Sequence, residues 1–461
     1  MPENAPTSIT TTRSTTRRWW MLAVIALAQL MIALDTTIVT IGLPSAQAEL
    51  GFPDSSRQWI ISGYALTFGS LLLLSGRLGD RWGRKRTLVA GLVGFAIASA
   101  VGGAAPSVDL LIAARIAQGA FAALLAPSAL AFVSVSFTDE KERVRAFGIF
   151  GAVSMVGTAT GLLLGGALTE ALSWRWTMYI NTVIAAPAIV GALILLPHAV
   201  GAVQRLDIPG AITVTAGFFT LVLGTSHAET SGWSAPATIA YLAAAVALLT
   251  VFVIIQIRSS APLLPLRVVL NRTRGSAFVA LLVSSAGLFT TFLFLPFYLQ
   301  STLGYPQLAT GLAFLPVPVV LAVSVVPLGL AVAGAGALLL VRLGTTASYA
   351  TDLLPSLLLI GAGIGLVIAT ATGAATAGVD DADAGAAAAS VNTAQQLGGS
   401  VGVATLSTIA AAAGTAFLAG HPGQEAAAEV HSYTTAYAGV GTLFLAGALL
   451  TMLIHPKDHA R

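Results

Sequence analysis

Long apolar runs, separated by short polar breaks, recur along nearly the whole chain. They cover residues 19–44, 58–78, 86–104, 109–134, 145–169, 176–196, 208–226, 236–257 and 276–300, then a compressed stretch at 311–343, then 352–372, 384–412 and 433–454. A helix that crosses a bilayer needs roughly 20 apolar residues, and the clear runs meet that length. The pattern predicts an all-α polytopic membrane protein.

The stretch 311–343 is the exception, with no charge before Arg342. As one helix it would be about 50 Å long at 1.5 Å per residue, against a hydrocarbon core of about 30 Å. Its flanks, 300–310 and 344–352, both read as lying away from the cytoplasm, so the number of crossings there is even. Two short spans turning near Pro327-Leu328-Gly329 satisfy this, and so does a re-entrant hairpin buried in protein. Two short spans bring the total to about fourteen.

Composition agrees with lipid as the main solvent. The chain has 461 residues, 56% of them hydrophobic and 9% charged, against about 25% charged in a soluble domain. Its net charge of +3 does not imply nucleic acid, because the basic residues sit in short clusters between spans. Arg13, Arg17 and Arg18 precede the first span, and Arg77, Arg81, Arg84, Lys85 and Arg86 join the second to the third. Lys141, Arg143 and Arg145 follow the fourth, Arg205 the sixth, and Arg258, Arg267, Arg272 and Arg274 the eighth. The positive-inside rule then puts both termini in the cytoplasm, as expected for a multi-pass protein of the cell membrane. All seven Trp fall at span ends, the place of aromatic belts. The tail 1–18, rich in Thr and Ser, is expected to be disordered. Cleavage after "AQA" (46–48), as in a signal peptide, fits poorly, because the preceding run is long and contains Asp35.

Several kinds of chemistry are excluded or unsupported. With no cysteine there is no disulfide and no thiolate metal site. The six His show no metal spacing, and neither a nucleophile–base motif nor a Walker loop is present. No enzyme and no cofactor is expected. "GAGIGL" (361–366) lies inside an apolar run and reads as helix packing. The sequon at 271–273 falls on the expected cytoplasmic side.

Two ionisable residues lie deep in spans of the first half. Asp35 is about 13 Å from the outer end of its span and Arg115 about 10 Å from the same surface. A lone charge at the bilayer centre costs at least about 2.5–3.5 kcal/mol, so both are expected to face a central cavity and to act on each other. Burial favours a protonated carboxyl and a neighbouring Arg favours the charged form. A group balanced between them can load and release a proton, with Asp35 as carrier and Arg115 as the fixed charge. A static salt bridge between two helices is the alternative.

"GRLGDRWGRKR" (76–86) links the second and third spans. Gly76, Gly79 and Gly83 permit close helix approach and a tight turn. Asp80 can cap or pair, and Arg84 is a partner for carboxylates or helix-end carbonyls. This stretch resembles the signature loop of the major facilitator superfamily. "LDTTIVTIGLP" (34–44), "LLIAARIAQGAFAA" (110–123) and "GIFGAVSMVGTATGLLLGG" (148–166) resemble the first-, fourth- and fifth-span motifs of its fourteen-span drug:proton antiporters. "WRWTMYIN" (174–181), "YLQSTLGYPQLATGLAFLP" (298–316) and "NTAQQLGG" (392–399) are similar to further segments of that family. There are departures. Leu162 stands where the fifth-span motif has Pro, Gln395 where many relatives have Arg, and the region near 327 lacks a basic loop.

The resemblance implies two six-helix bundles, 19–200 and 261–461, with an inserted helix pair within 201–260. It implies proton-coupled efflux of amphipathic or cationic drugs by alternating access, driven by the proton gradient. The expected partners are a small amphipathic substrate, protons and the lipid bilayer, and no oligomer is required. Export of one endogenous metabolite is an alternative, as is a transport-dead sensor. Gly157, Gly161, Gly165 and Gly166 form one stripe, read as a hinge face between the halves or as generic tight packing. Tyr64, Phe68, Gln118, Asn392 and Gln396 are candidate substrate contacts, though helix-to-helix hydrogen bonding is the simpler reading of each. Phe292, Phe294, Phe297 and Tyr298 read as core or lipid-facing, and Glu170 and Asp352 as exposed span edges.

Overall fold

The computed structural model describes residues 9–137, 139–197, 207–259, 262–264, 266–316, 326–376, 379 and 381–454. Fifteen α-helices are found among them. In the first half these are α1 (Ile9–Leu50), α2 (Asp54–Trp82), α3 (Arg84–Gly103), α4 (Val108–Ser136), α5 (Glu140–Ala171), α6 (Trp176–Leu195), α7 (Ile208–Ser231) and α8 (Pro236–Arg258). The second half has α9 (Leu266–Val269), α10 (Arg272–Phe297), α11 (Gln307–Ala313), α12 (Val326–Leu339), α13 (Leu354–Thr376), α14 (Asp381–Gly420) and α15 (Glu425–Ile454). Eleven of them are long and apolar enough to cross a membrane. Residues 1–8 and Arg205 lie outside the described residues.

Helices α1 to α6 pack on one another, and α10 and α12 to α15 pack on one another. The α7–α8 hairpin meets both groups through α7, which lies along α2 and α14. Trp59 Nε1 donates to Ser226 Oγ at 3.2 Å, and Thr408 Oγ1 donates to the Thr225 carbonyl at 2.9 Å. The turn at 82–84, the end of α4 and the start of α5 mark one face of the molecule, called here the loop face. The turns at 51–53, 172–175, 303–306 and 421–424 mark the opposite, far face.

Small residues let the helices approach closely, since lipid gives no hydrophobic drive for helix association. A methyl group on Gly119 of α4 would lie 2.3 Å from the Tyr64 carbonyl oxygen of α2. Gly83, at φ 93°, makes the break between α2 and α3.

Two expectations need correction. The tail is helical from Ile9 and continuous with α1. Arg17 NH2 donates to the Leu195 carbonyl at 3.1 Å, and Arg18 lies 3.7 Å from Glu142, so the end of the tail has partners on α6 and α5. The second concerns 311–343. Pro327, Leu328 and Gly329 do not form a turn; they open α12, where a proline costs no helix hydrogen bond. Gly329 sits against Gly363 and Val367, about halfway along α13. Tyr349 Oη donates to the Ala313 carbonyl at 2.8 Å, which holds α11 near the far face. The described parts therefore run from the far face to about mid-depth. The connection at 317–325 lies outside the described residues, and fourteen spans are not reached among those described.

Candidate functional site

Asp35 and Arg115 meet, Arg115 NH1 lying 2.6 Å from Asp35 Oδ2. Fixed helix rise brings α1 and the antiparallel α4 to matching depth there. The carboxylate is completely buried. Its other oxygen, Oδ1, accepts from Asn181 Nδ2 at 2.7 Å and from Gln118 Nε2 at 3.1 Å. Gln118 Nε2 also donates to Ser99 Oγ at 2.8 Å. Four helices, α1, α3, α4 and α6, thus supply one polar knot in an apolar bundle. Charge-assisted bonds of this length are the strong ones.

Arg115 is held on several sides. Nε donates to the Ile60 carbonyl at 3.0 Å, and NH1 also donates to Gln118 Oε1 at 3.1 Å. The guanidinium lies over the Tyr64 ring, 4.3 Å from its centroid. Arg115 also borders a cavity between the two helix groups, with Thr36, Ile61, Tyr64, Phe289 and Phe292. That cavity is about 10 Å³, near the size of a single water.

The expected sharing of one cavity by Asp35 and Arg115 is therefore divided. Arg115 and Tyr64 border the space between the halves, while Asp35 is enclosed behind Arg115. The amide donors of Asn181 and Gln118 account for this by drawing the carboxylate into the first helix group. Gln118 serves the pair and does not line the cavity. Phe68 is buried beside Tyr64, with ring centroids 5.8 Å apart. Gln396 lies against Gly69 at the α2–α14 crossing, where Thr393, next to Asn392, donates to the Gly69 carbonyl at 3.2 Å.

Asn181 was not singled out in the sequence, because an uncharged amide in an apolar run stands out little. Its Nδ2 donates to the carboxylate while its Oδ1 is buried with no partner. A primary amide carries both a donor and an acceptor. It suits an ionised Asp35 through Nδ2 and, after rotation, a protonated one through Oδ1. Asn181→Ala is expected to destabilise the protein by about 1.5–3 kcal/mol, the range for a bond to a charged group. Thermal unfolding of the purified variant reads this directly.

The glycine stripe packs inside the first helix group, except at one position. Methyl groups on Gly157, Gly161 and Gly165 would meet Ala33 and Leu30, Thr37 and Leu34, and Ile38 and Ile41 of α1. This close seam, not the interface between the halves, explains the four-residue repeat. Only Gly166 faces the other half, where a methyl would lie 2.5 Å from the Gln307 carbonyl oxygen and 2.6 Å from Leu308 Cα. Reciprocally, one on Gly311 would lie 2.3 Å from the Leu162 carbonyl oxygen. Hydrogen bonds close the far face around this contact. Gln300 Nε2 donates to the Ile41 carbonyl at 3.1 Å, Gln307 Nε2 to Ser45 Oγ at 3.3 Å, and the Leu308 amide to Glu170 Oε2 at 3.0 Å. Glu170, expected to be merely exposed, takes part in this closure.

At the loop face, Gly76 and Gly79 lie beside Pro127 and Ser128 of α4. The side chain of Asp80 lies outside the described residues, and Arg84 opens α3. Lys85 Nζ donates to the Leu193 and Leu196 carbonyls at 2.7 and 2.8 Å, capping the end of α6. A cation at a helix C-terminus answers both the unmet carbonyls and the dipole.

Two helix groups joined across a central cavity, closed at one face by a glycine contact, define a multi-pass membrane transporter. The model of the Major Facilitator Superfamily matches residues 25–403, and the chain belongs to that family. It is 45% identical to the puromycin resistance protein of Streptomyces alboniger, over 96% of this chain and 93% of that protein. It is 36% identical to the cephamycin export protein of Amycolatopsis lactamdurans, over 93% and 90%. Among solved structures, the crystal structure of the peptide transporter POT in complex with sulfate superimposes with a TM-score of 0.66 at 15% identity, covering 94% of both chains. That likeness concerns the fold.

Proposed function

We propose that this protein exports amphipathic, antibiotic-like organic cations from the cell in exchange for protons. The observation that carries the reading is the double position of Arg115, which pairs with the enclosed Asp35 and also borders the cavity between the halves. With Asp35 ionised, the pair is neutral and the cavity tolerates a cation. With Asp35 protonated, Arg115 leaves a net positive charge beside the cavity and expels one. Proton and cation thus exclude each other, and such linkage is reciprocal. The loop face, rich in Arg and Lys, is the cytoplasmic one, and both termini lie there in the cell membrane. Opening at the loop face lets Asp35 lose its proton and the cation enter. Opening at the far face returns the proton and releases the cation. The bonds of Gln300, Gln307 and Glu170 hold the far face shut in the first of these states. The chain acts as a carrier and not as an enzyme, with the proton gradient as its energy source.

The kinship with a puromycin resistance protein and a cephamycin export protein supports an antibiotic-like substrate. Everted vesicles containing the protein are expected to accumulate puromycin or another compound from a panel of cationic antibiotics when energised, and to release it when an uncoupler is added. Accumulation that ignores the uncoupler overturns proton coupling. Uptake confined to a cell metabolite favours the single-substrate exporter, and no uptake of any compound favours the transport-dead reading.

A further inference from the structure

A second opening, on the far face, is separate from the central pair. It is a cavity of about 390 Å³ between the start of α2 and helices α10, α14 and α15. Drug-sized ligands occupy sites of about 300–1,000 Å³. One wall is apolar, built from Leu293, Phe294, Ala411, Leu418 and Ala428. The charged and titratable groups on its lining are Asp54, Arg57, Glu429 and Tyr433. Asp54 and Arg57 neutralise each other at 2.7 Å, and Arg57 is further held over the Phe297 ring, 3.9 Å from its centroid. Glu429 is different. Its Oε1 accepts from the Tyr433 hydroxyl, a neutral donor, and among the described residues no cation pairs with it. The Ser407 hydroxyl, also on the lining, is buried with no hydrogen-bond partner. One uncompensated carboxylate, an apolar wall and a spare hydroxyl make a receptor for one positive charge on an apolar body.

We propose that this cavity binds an amphipathic organic monocation, with Glu429 as its counter-ion. The inference rests on the export reading and extends it. The central cavity's own charge is Arg115, with Asp35 hidden behind it, so the cation-selecting carboxylate on the far side is Glu429. Gln58 of this cavity and Ile61 of the central one lie three residues apart on α2, about 4.5 Å of rise. The site therefore sits next along the exit path, where a compound leaving the centre pauses before release.

Binding of tetraphenylphosphonium to the full-length purified protein tests this, with triphenylphosphine oxide as a neutral compound of similar shape. Glu429→Gln is expected to weaken tetraphenylphosphonium binding at least tenfold and to leave the oxide within twofold. Ser407→Leu, which fills the cavity without changing its charge, is expected to weaken both, and the thermal midpoints of both variants report that they fold. Asp35→Asn is expected to weaken cation binding at the central cavity and abolish proton-driven export, while the part of tetraphenylphosphonium binding that Glu429→Gln removes stays in place. Unchanged tetraphenylphosphonium affinity in both folded cavity variants overturns the site, even if wild-type export is proton-driven. Loss confined to Glu429→Gln and the cation, in a protein that exports nothing, leaves the site standing and removes the export reading.

Discussion

Asp35→Asn is expected to abolish proton-driven export while leaving exchange of bound compound across unenergised vesicles. Asparagine matches the carboxylate in shape and can still bond to Asn181 and Gln118, but it cannot carry a proton. It leaves Arg115 without its counter-charge, and breaking a buried pair on one side costs about 3–5 kcal/mol. The positive charge beside the cavity becomes permanent, so cation affinity falls as well. A companion substitution separates coupling from folding. Arg115→Lys retains the charge but loses the guanidinium's bond to Ile60 and its stacking on Tyr64. It is expected to fold and to keep measurable, slower proton-coupled transport. Wild-type coupling in Asp35→Asn would reduce the pair to a static tie between α1 and α4.

The second large effect is expected at the far face. Gly166→Leu places a side chain where the backbone of Gln307 and Leu308 already lies within about 2.6 Å of a single methyl. Backbone cannot step aside as a flexible side chain can, so the closed contact fails and the far face stays open. Turnover is expected to drop at least tenfold with the protein still folded, because the stripe against α1 is untouched. The chain has no cysteine, so a cysteine placed at Ile61, on the central cavity, is the only thiol. A membrane-impermeant thiol reagent added from the far side should label it faster in Gly166→Leu than in the parent. Equal labelling and normal turnover would mean that the α5–α11 contact is not a gate.

The central pair was legible in the sequence because helix rise is fixed. Two charges in antiparallel spans at equal depth have few other partners, and their expense in lipid demands one. What the sequence hid was direction. It placed Asp35 and Arg115 at one depth but could not say that two amides, Asn181 and Gln118, would draw the carboxylate away from the cavity. The glycine stripe was visible as a repeat, but its partner was not, since a run of small residues fits α1 as well as the opposite half. Helix ends were the other blind spot. Apolarity alone starts the last span at 433, whereas the helix begins at Glu425. That shift of two turns brings Glu429 into the wall of the far-face cavity. Pro327 misled for a related reason, because proline marks a helix start as readily as a turn. Family motifs carried the fold and the transporter class, and the identity of the transported compound lies in cavity walls that no motif encodes.

The most direct measurement is of protons released when a transported compound binds. In weakly buffered solution without any gradient, adding the compound to purified wild-type protein should acidify the medium, and adding it to Asp35→Asn should not. Saturable binding to the wild type with no proton released, or the same release from Asp35→Asn, would contradict proton–cation exclusion at the Asp35–Arg115 pair.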